Sequence, residues 1–459
     1  MYEIVSDIFD NLKEEFLNLL ATLPSVDKIE RFALNEVFQK ICQATQAYAE
    51  WMDLQLWEDK SGRRREGLAV ERRNDSRTLV TRFGEVTYNR TYYAKKDGTF
   101  CYPIDEILNV PSYRRVSDSV ALGLTEEAKS KSYKASSKAV TNENVSVQTV
   151  MNSIRRCRAA RVEIKEKRHV PILHVDADED HVSLQNGRSA IVPLVTVYEG
   201  LETVGLGNSG RRKCVNAFNH SESRIHKDFW DNVYCDITSR YDIEGTKIYL
   251  HGDGAAWIRE GMGYLPNCTF VLDCYHRNKA VKTAFSGCKK GEATAEKRLL
   301  ASALKNGKAE FLAKVWERRL EQNPDRKDTI DQAFRYLYDN LDAIAVRYKD
   351  PEAKNGGATE PHVSHVLSSR LSSRPMGWSM ETLKTFVPIL ASERFELAPA
   401  HRSKAPESLV EAAVKALESQ RVENCRHVPK AISCRQGAFE ALTQGKVTQL
   451  YRALKNIAG

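Results

Sequence analysis

Two short runs hold the residues best suited to chemistry. Val175-Asp176-Ala177-Asp178-Glu179-Asp180-His181 follows a β-like stretch that begins at Pro171, and His251-Gly252-Asp253-Gly254-Ala255 follows another over residues 247–250. A carboxylate at the end of a buried strand is costly unless something cationic compensates it. Two of them, on strands distant in sequence, predict a metal-binding cleft at a sheet edge. Glu360, at the start of a later helix, offers a third. Clustered carboxylates suit Mg²⁺ or Mn²⁺, hard cations that take oxygen ligands. A pair of such ions about 4 Å apart holds the attacking and leaving oxygens of an in-line phosphoryl displacement. The chemistry expected is therefore metal-assisted phosphodiester cleavage and strand transfer on DNA. Taken singly, the acid-rich run also reads as a solvated strand end, the His251–Gly254 run as a tight turn, and Glu360 as a helix-start acid favoured by the dipole.

The elements that must position these groups are legible as periodicities. From residue 170 the pattern turns from helical to β. Strands are predicted at 171–178 and 180–185, with a hairpin turn at Asn186-Gly187, then at 189–198 and, after a Gly-rich loop, at 213–218. A helix over 221–241, a strand over 247–251, a short helix over 255–260 and a strand over 269–272 complete a β-β-β-α-β-α-β order. That is an α/β fold of the ribonuclease H-like order, in which the first and fourth strands are neighbours. Helical periods follow over 275–285, 293–305, 308–322 and 329–348 and read as an insertion broken by Gly356-Gly357. Glu360-Pro361 opens the next helix, Pro being tolerated in the first turn.

Upstream, residues 4–22 and 28–57 are helical and 58–77 read as a basic linker. Two strands at 78–83 and 86–93 flank Gly84-Glu85 as a two-residue hairpin. Arg82, Arg90 and the tyrosines of that hairpin suit either a nucleic-acid backbone or cross-strand pairing. A short helix at 133–140, a turn at 142–144, and a helix from Val147 to about Ala159 capped by Ser146 resemble a helix-turn-helix. Val147, Val150, Met151 and Ile154 form its expected buried face. Lys134, Gln148, Asn152, Arg155 and Arg156 are the DNA-contact candidates, and a generic helical hairpin is the other reading. The division expected is helical 1–60, hairpin plus helix-turn-helix 61–165, catalytic 166–280, insertion 281–355, end of the catalytic domain 356–400, and helical 401–459, with helices at 408–418 and 447–457.

The 459 residues are 42% hydrophobic, enough for a sizeable core, and 69 Lys and Arg against 61 acids give +8. The ten cysteines lack a CxxC pair, and the N-terminus lacks a basic-apolar leader, so reduced thiols and a cytoplasmic location are expected. Cys425, His427 and Cys434 lack a fourth ligand at zinc-finger spacing. No apolar run approaches a membrane span.

Several longer motifs carry a resemblance. His174–Val182, Gly252-Asp253-Gly254-Ala255, Asp273-Cys274-Tyr275-His276-Arg277-Asn278-Lys279, His362–Leu367, Ser373–Trp378 and Phe83-Gly84-Glu85-Val86 resemble the ISLre group of bacterial insertion-sequence transposases, relatives of the Mutator-like DDE enzymes. The resemblance covers most of the chain. It implies a ribonuclease H-like catalytic domain interrupted by a helical insertion, with an Asp-Asp-Glu triad at Asp178, Asp253 and Glu360. It implies Asp178 over Asp176 or Asp180 as first ligand, since relatives accept Glu at the position of Asp176. It also implies that His276, in a D/CxxH signature, contacts the scissile phosphate or positions a metal-bound water, a helix-capping role being the alternative. The implied partners are the terminal repeats of an element and target DNA, and joining two ends requires a homo-oligomer. A DNA-binding repressor without catalysis, or a hydrolytic nuclease on the same fold, are the alternatives.

Overall fold

In the strand Ile172–Ser183 (β1) every second residue faces the same way. Leu173, Val175 and Ala177 are fully buried on one face, while His174, Asp176, Asp178 and Asp180 share the other. The computed structural model describes residues 2–399 apart from 161–163, 165, 205–210, 289–290, 292, 358 and 375, and leaves out the side chains of residues 2, 211, 355, 359 and 360. The expected Gly-rich loop, the helices at 408–418 and 447–457, and Cys425, His427 and Cys434 therefore lie outside the described residues. The chain is a mixed α/β protein that falls into two compact units, one up to Val120 and one over Ala121–Pro399.

In the second unit, β1 pairs antiparallel with Ser189–Tyr198 (β2), which pairs antiparallel with Phe218–Ser221 (β3). On its other side β1 runs parallel to Lys247–Gly252 (β4), and β4 parallel to Cys268–Leu272 (β5). The order across the five-stranded sheet is β3-β2-β1-β4-β5. A parallel pair needs a crossover, and the helices Phe229–Arg240 and Ala256–Glu260 supply them. The first packs Phe229, Trp230, Val233 and Ile237 against Leu173, Val175, Val195, Val197, Ile248 and Leu250. Each such side chain contributes about 1.5–3 kcal/mol by leaving water.

The helices Thr294–Asn306, Ala309–Gln322, Lys327–Asp339 and Leu341–Lys349 occupy the expected insertion. Leu300, Leu304, Leu312, Val315, Phe334 and Leu337 join the same core as the sheet, so the insertion extends that core. The single helix expected over 329–348 is two. Asn340 breaks it, with its amide donating to the Tyr336 carbonyl and accepting from Arg259.

The third sheet strand is Phe218–Ser221, not 213–218. Arg211–Cys214 pairs instead with Leu201–Val204 in a separate ribbon. Exposed Arg212 and Lys213 are unsuited to a buried ladder, whereas Phe218 and Ser221 are buried and Ser221 Oγ donates to the Pro193 carbonyl at 2.6 Å. The helix after it starts at Phe229 rather than 221.

The helical pair is present as Tyr133–Thr141 and Val147–Arg155, with Ser146 Oγ accepting from the Thr149 amide as the cap requires. It lies in the second unit, so the expected 61–165 region is divided. Its second helix stops at Arg155 because Cys157–Ala159 pairs with Phe395–Leu397. Val147 is half exposed rather than buried, while Val150 and Ile154 are fully buried.

In the first unit, the helices Tyr2–Ala21, Val26–Phe32 and Phe38–Glu58 precede a hairpin of Leu68–Thr81 and Gly84–Lys95. The expected linker is instead a helix, Lys60–Glu66, capped by Asp59 and ended by Gly67 at φ +69°, followed by the long strand. The hairpin loop is Arg82-Phe83, not Gly84-Glu85, because Gly84 pairs with Thr81 while holding φ +135°.

Candidate active site

The β1–β4 register sets Asp176 beside His251. Continued two residues, it sets Asp178 beside Asp253, the first residue past β4. The strands close tightly here. A Cβ on Gly252 would stand 3.0 Å from the Ala177 carbonyl. Asp253 turns the chain: its Oδ1 accepts from the Ala255 amide at 2.8 Å, its carbonyl from the Tyr336 hydroxyl, and Gly254 follows at φ +94°. Asp178 Oδ1 accepts from the Glu179 amide at 2.9 Å, and both aspartates are half-buried.

His276 stands at the same edge. It lies in the first turn of the helix Cys274–Ala284, whose cap Asp273 accepts from the amides of Tyr275 and His276 and faces His276 Nδ1 at 3.2 Å. The hydrogen bond to Asp273, followed by the charges of Asp273, Asp253 and Asp178, raises the imidazole above its ordinary value against the effect of burial. Thus His276 lies within electrostatic reach of both Asp178 and Asp253.

Glu360 lies in the helix Thr359–Val363, and its side chain is outside the described residues. The backbone leading to it is anchored to the sheet. The Gly357 amide donates to Asp176 Oδ1 at 3.2 Å and to the Tyr198 hydroxyl at 3.1 Å, and that hydroxyl donates to Asp176 at 3.0 Å. Arg347 donates to the Gly356 carbonyl at 3.1 Å. Gly356 has no room for a side chain, since a Cβ would lie 2.3 Å from His251 Nε2 and 2.5 Å from His174 Nδ1.

Those two imidazoles meet at 3.1 Å and stack on each other, and His174 also stacks with Tyr198 and Tyr249. Burial, then the charge of Arg347, pushes His174 down to about 4, and burial with His174 and Arg347 holds His251 well below its ordinary value. Both are neutral at physiological pH. His362 approaches Asp176 at 3.7 Å and Cys214 at 3.6 Å, but burial and His365 push it down to about 4, so no ion pair forms at neutral pH.

The three aspartates of β1 therefore divide. Asp176 anchors the chain before Glu360, and Asp180 accepts from Ser372 at 2.9 Å. Asp178 is the one placed beside Asp253. His174, Tyr198, His251, Gly356 and Gly357 were missed from sequence. The signal available was the period of two along His174, Asp176, Asp178 and Asp180, which marks one polar sheet face.

The donor set of Asp178 and Asp253 is all oxygen and suits Mg²⁺ or Mn²⁺. Among the described residues no group of three His, Cys, Asp or Glu stands ready to hold a metal, and the Glu360 side chain lies outside them. Of the DNA-contact candidates, Lys134 is exposed, and exposed Gln148 and Asn152 bond each other at 3.1 Å. Arg156 is half-buried. Arg155 does not face outward: it donates to Ser379 and Thr382 and pairs with Glu381. No described helix is long and apolar enough to cross a membrane.

Among known proteins, the chain is 34% identical to a UPF0236 protein of Caldanaerobacter subterraneus subsp. tengcongensis over 99% of its own length and 94% of the relative's. A second protein of that organism is 33% identical over 98% and 94% of the two chains. A UPF0236 protein in the vanSb 3′ region of Streptococcus gallolyticus is 22% identical over 70% and 73%. The model of the uncharacterised protein family UPF0236 matches residues 24–397. The chain belongs to the UPF0236 family.

Proposed function

We propose that this chain is a DDE transposase of the ISLre type, catalysing metal-dependent DNA cleavage and strand transfer for an insertion sequence. The observation that carries the reading is the parallel β1–β4 register, which brings Asp178 and Asp253 together beside His276. The strand order, three antiparallel strands followed by two parallel ones, supports a ribonuclease H-like domain. The anchoring of Gly357 to Asp176 and Tyr198 supports Glu360 as the third carboxylate. One relative's name joins eleven designations in a single organism, which fits a sequence carried in many copies by an element that moves.

In this reading Asp178, Asp253 and Glu360 hold Mg²⁺ or Mn²⁺, which when bound neutralises charge on the phosphate under attack. His276, whose imidazole its acidic neighbours raise above its ordinary value, donates to a phosphate oxygen. The buried histidine and tyrosine stack keeps the polar sheet face rigid beneath the carboxylates. The partners are terminal-repeat and target DNA, and the chain acts as a homo-oligomer that joins two ends.

The test incubates the protein with DNA bearing the ends of its own element, a target plasmid and Mg²⁺. The expected product is a 3′ end joined to target DNA, lost in Asp253→Asn while DNA binding persists. Cleavage without joining would make the protein a hydrolytic nuclease, and binding without cleavage a repressor-like binder. Either would overturn the proposal.

A further inference from the structure

The first unit contains a cleft that the carboxylate site does not use. It has a volume of about 1080 Å³ and lies between the hairpin residues Arg72, Arg90 and Tyr92 and the segment that ends at Arg115. Its aromatic wall is a ladder. The Phe100 and Tyr92 rings stack at 5.1 Å and 13°, and Tyr92 meets Tyr102 at 4.7 Å. The Arg90 guanidinium lies 3.7 Å over Tyr102, and Arg72 lies 5.2 Å over Tyr92.

The ladder is held from beneath. Buried Asp105 pairs with both Arg77 and Arg90, and Arg77 also donates to the carbonyls of Pro111 and Arg114 at 2.9 Å. That network ties the hairpin to the opposite wall and sets the width of the cleft. Five arginines line it against two acids, Asp105 and Glu106, and a third acid, Asp75, holds Arg72 at 2.6 Å. At its mouth Phe100 is 51% exposed, and the exposed Arg115 side chain has no partner among the described residues.

A ligand suited to this wall has flat π faces and negative charge together. Duplex DNA offers the charge, but its bases are already stacked on one another. An apolar peptide has no use for the arginines. An unpaired strand offers both, because each base has a free face and each phosphate a charge. We propose that the hairpin cleft binds single-stranded nucleic acid, with an unpaired base stacking on Phe100 at the end of the ladder and its phosphate meeting Arg115. This goes beyond the transposase reading and does not depend on the metal site.

The test is fluorescence anisotropy of the full chain with labelled oligothymidylate in EDTA, which silences any metal-dependent cutting. Phe100→Ala is expected to weaken binding roughly tenfold, as loss of one stacked base does. Arg115→Ala is expected to lower the salt slope by about 0.7, as loss of one phosphate contact to a single strand does. Both side chains are exposed, so the thermal midpoints should match wild type. Should Phe100→Ala fold poorly, Phe100→Leu keeps the apolar bulk, removes the π face and should show the same loss. No binding, affinity indifferent to these substitutions, equal affinity for duplex of the same length, or equally tight binding of thymidine monophosphate would each overturn the proposal. The oligonucleotide is bound in EDTA, where the carboxylate site takes no part through a metal, so failure here and failure of the metal site are read separately.

Discussion

Replacing Tyr198 with Phe removes one oxygen and almost no volume, and that oxygen joins β2, β1 and the chain before Glu360. Tyr198 is fully buried, so water cannot substitute for its hydroxyl. The change removes one donor to Asp176 at 3.0 Å and one of the two acceptors of the Gly357 amide at 3.1 Å, the amide keeping its bond to Asp176. A hydrogen bond to a charged group contributes about 1.5–3 kcal/mol, so a loss of about 2 kcal/mol is expected. For a unit of this size that lowers Tm by about 4–8 °C. Asp178→Asn should do the reverse, with Tm in EDTA unchanged or slightly higher because neighbouring carboxylates repel.

The two variants separate when Mn²⁺ is added. A ligand at about 100 times its Kd stabilises by about 2.7 kcal/mol, which Tyr198→Phe should largely keep and Asp178→Asn should lose. The assay is thermal unfolding followed by circular dichroism in EDTA and in Mn²⁺. An unchanged Tm in Tyr198→Phe would refute the anchoring role. A full Mn²⁺ response in Asp178→Asn, with its loss in Asp176→Asn, would show that the wrong aspartate has been assigned.

Four further outcomes are expected. Burial alone would push His220 down, but hydrogen bonds to Asp236 and Glu222 raise it to about 9. A raised pKa stabilises fully below the unfolded value and is lost as pH rises through the folded one. Wild type should therefore lose about 2–3 kcal/mol between pH 6.5 and 9.5 that His220→Gln does not lose, and equal slopes in urea unfolding would contradict this. Arg155→Ala should cost about 1–2 kcal/mol of stability with little change in DNA affinity. Lys134→Ala should leave stability intact and lower the salt slope for duplex binding by about 0.9, both read by anisotropy and melting. Gly356→Ala should abolish strand transfer at folded concentrations where wild type is active, because its Cβ meets both buried imidazoles. Retained activity would show that the approach is looser than the structure implies.

What could be read from the chain was whatever local pattern determines. The alternation in β1, the Ser146 cap and the amphipathic helices after residue 274 depend on neighbours a few positions away, and each appears. What could not be read depends on distant partners. Arg155 lies where a DNA-reading residue would, but its acceptor Thr382 is 227 positions further on. Asp176 and Asp178 are equivalent in type and spacing, and only the arrival of Gly357, 181 residues after Asp176, marks Asp176 as the anchor. Gly356-Gly357 looks like a break between helices, whereas contact with His174 and His251 gives it a positioning role. The long strand from Leu68 was hidden because its polar, largely exposed residues carry no apolar alternation.

The central claim is that Asp178, Asp253 and Glu360 share one divalent-cation site, and iron-directed cleavage of the backbone tests it most directly. Fe²⁺ substituted for Mg²⁺ in the presence of ascorbate and peroxide cuts the chain beside the metal, and mass spectrometry locates the cuts. The account predicts cuts in three widely separated segments, around 176–180, 251–255 and 358–362, all suppressed by excess Mg²⁺ and by Asp178→Asn. Cuts confined to one segment, or a pattern indifferent to Mg²⁺, would contradict it.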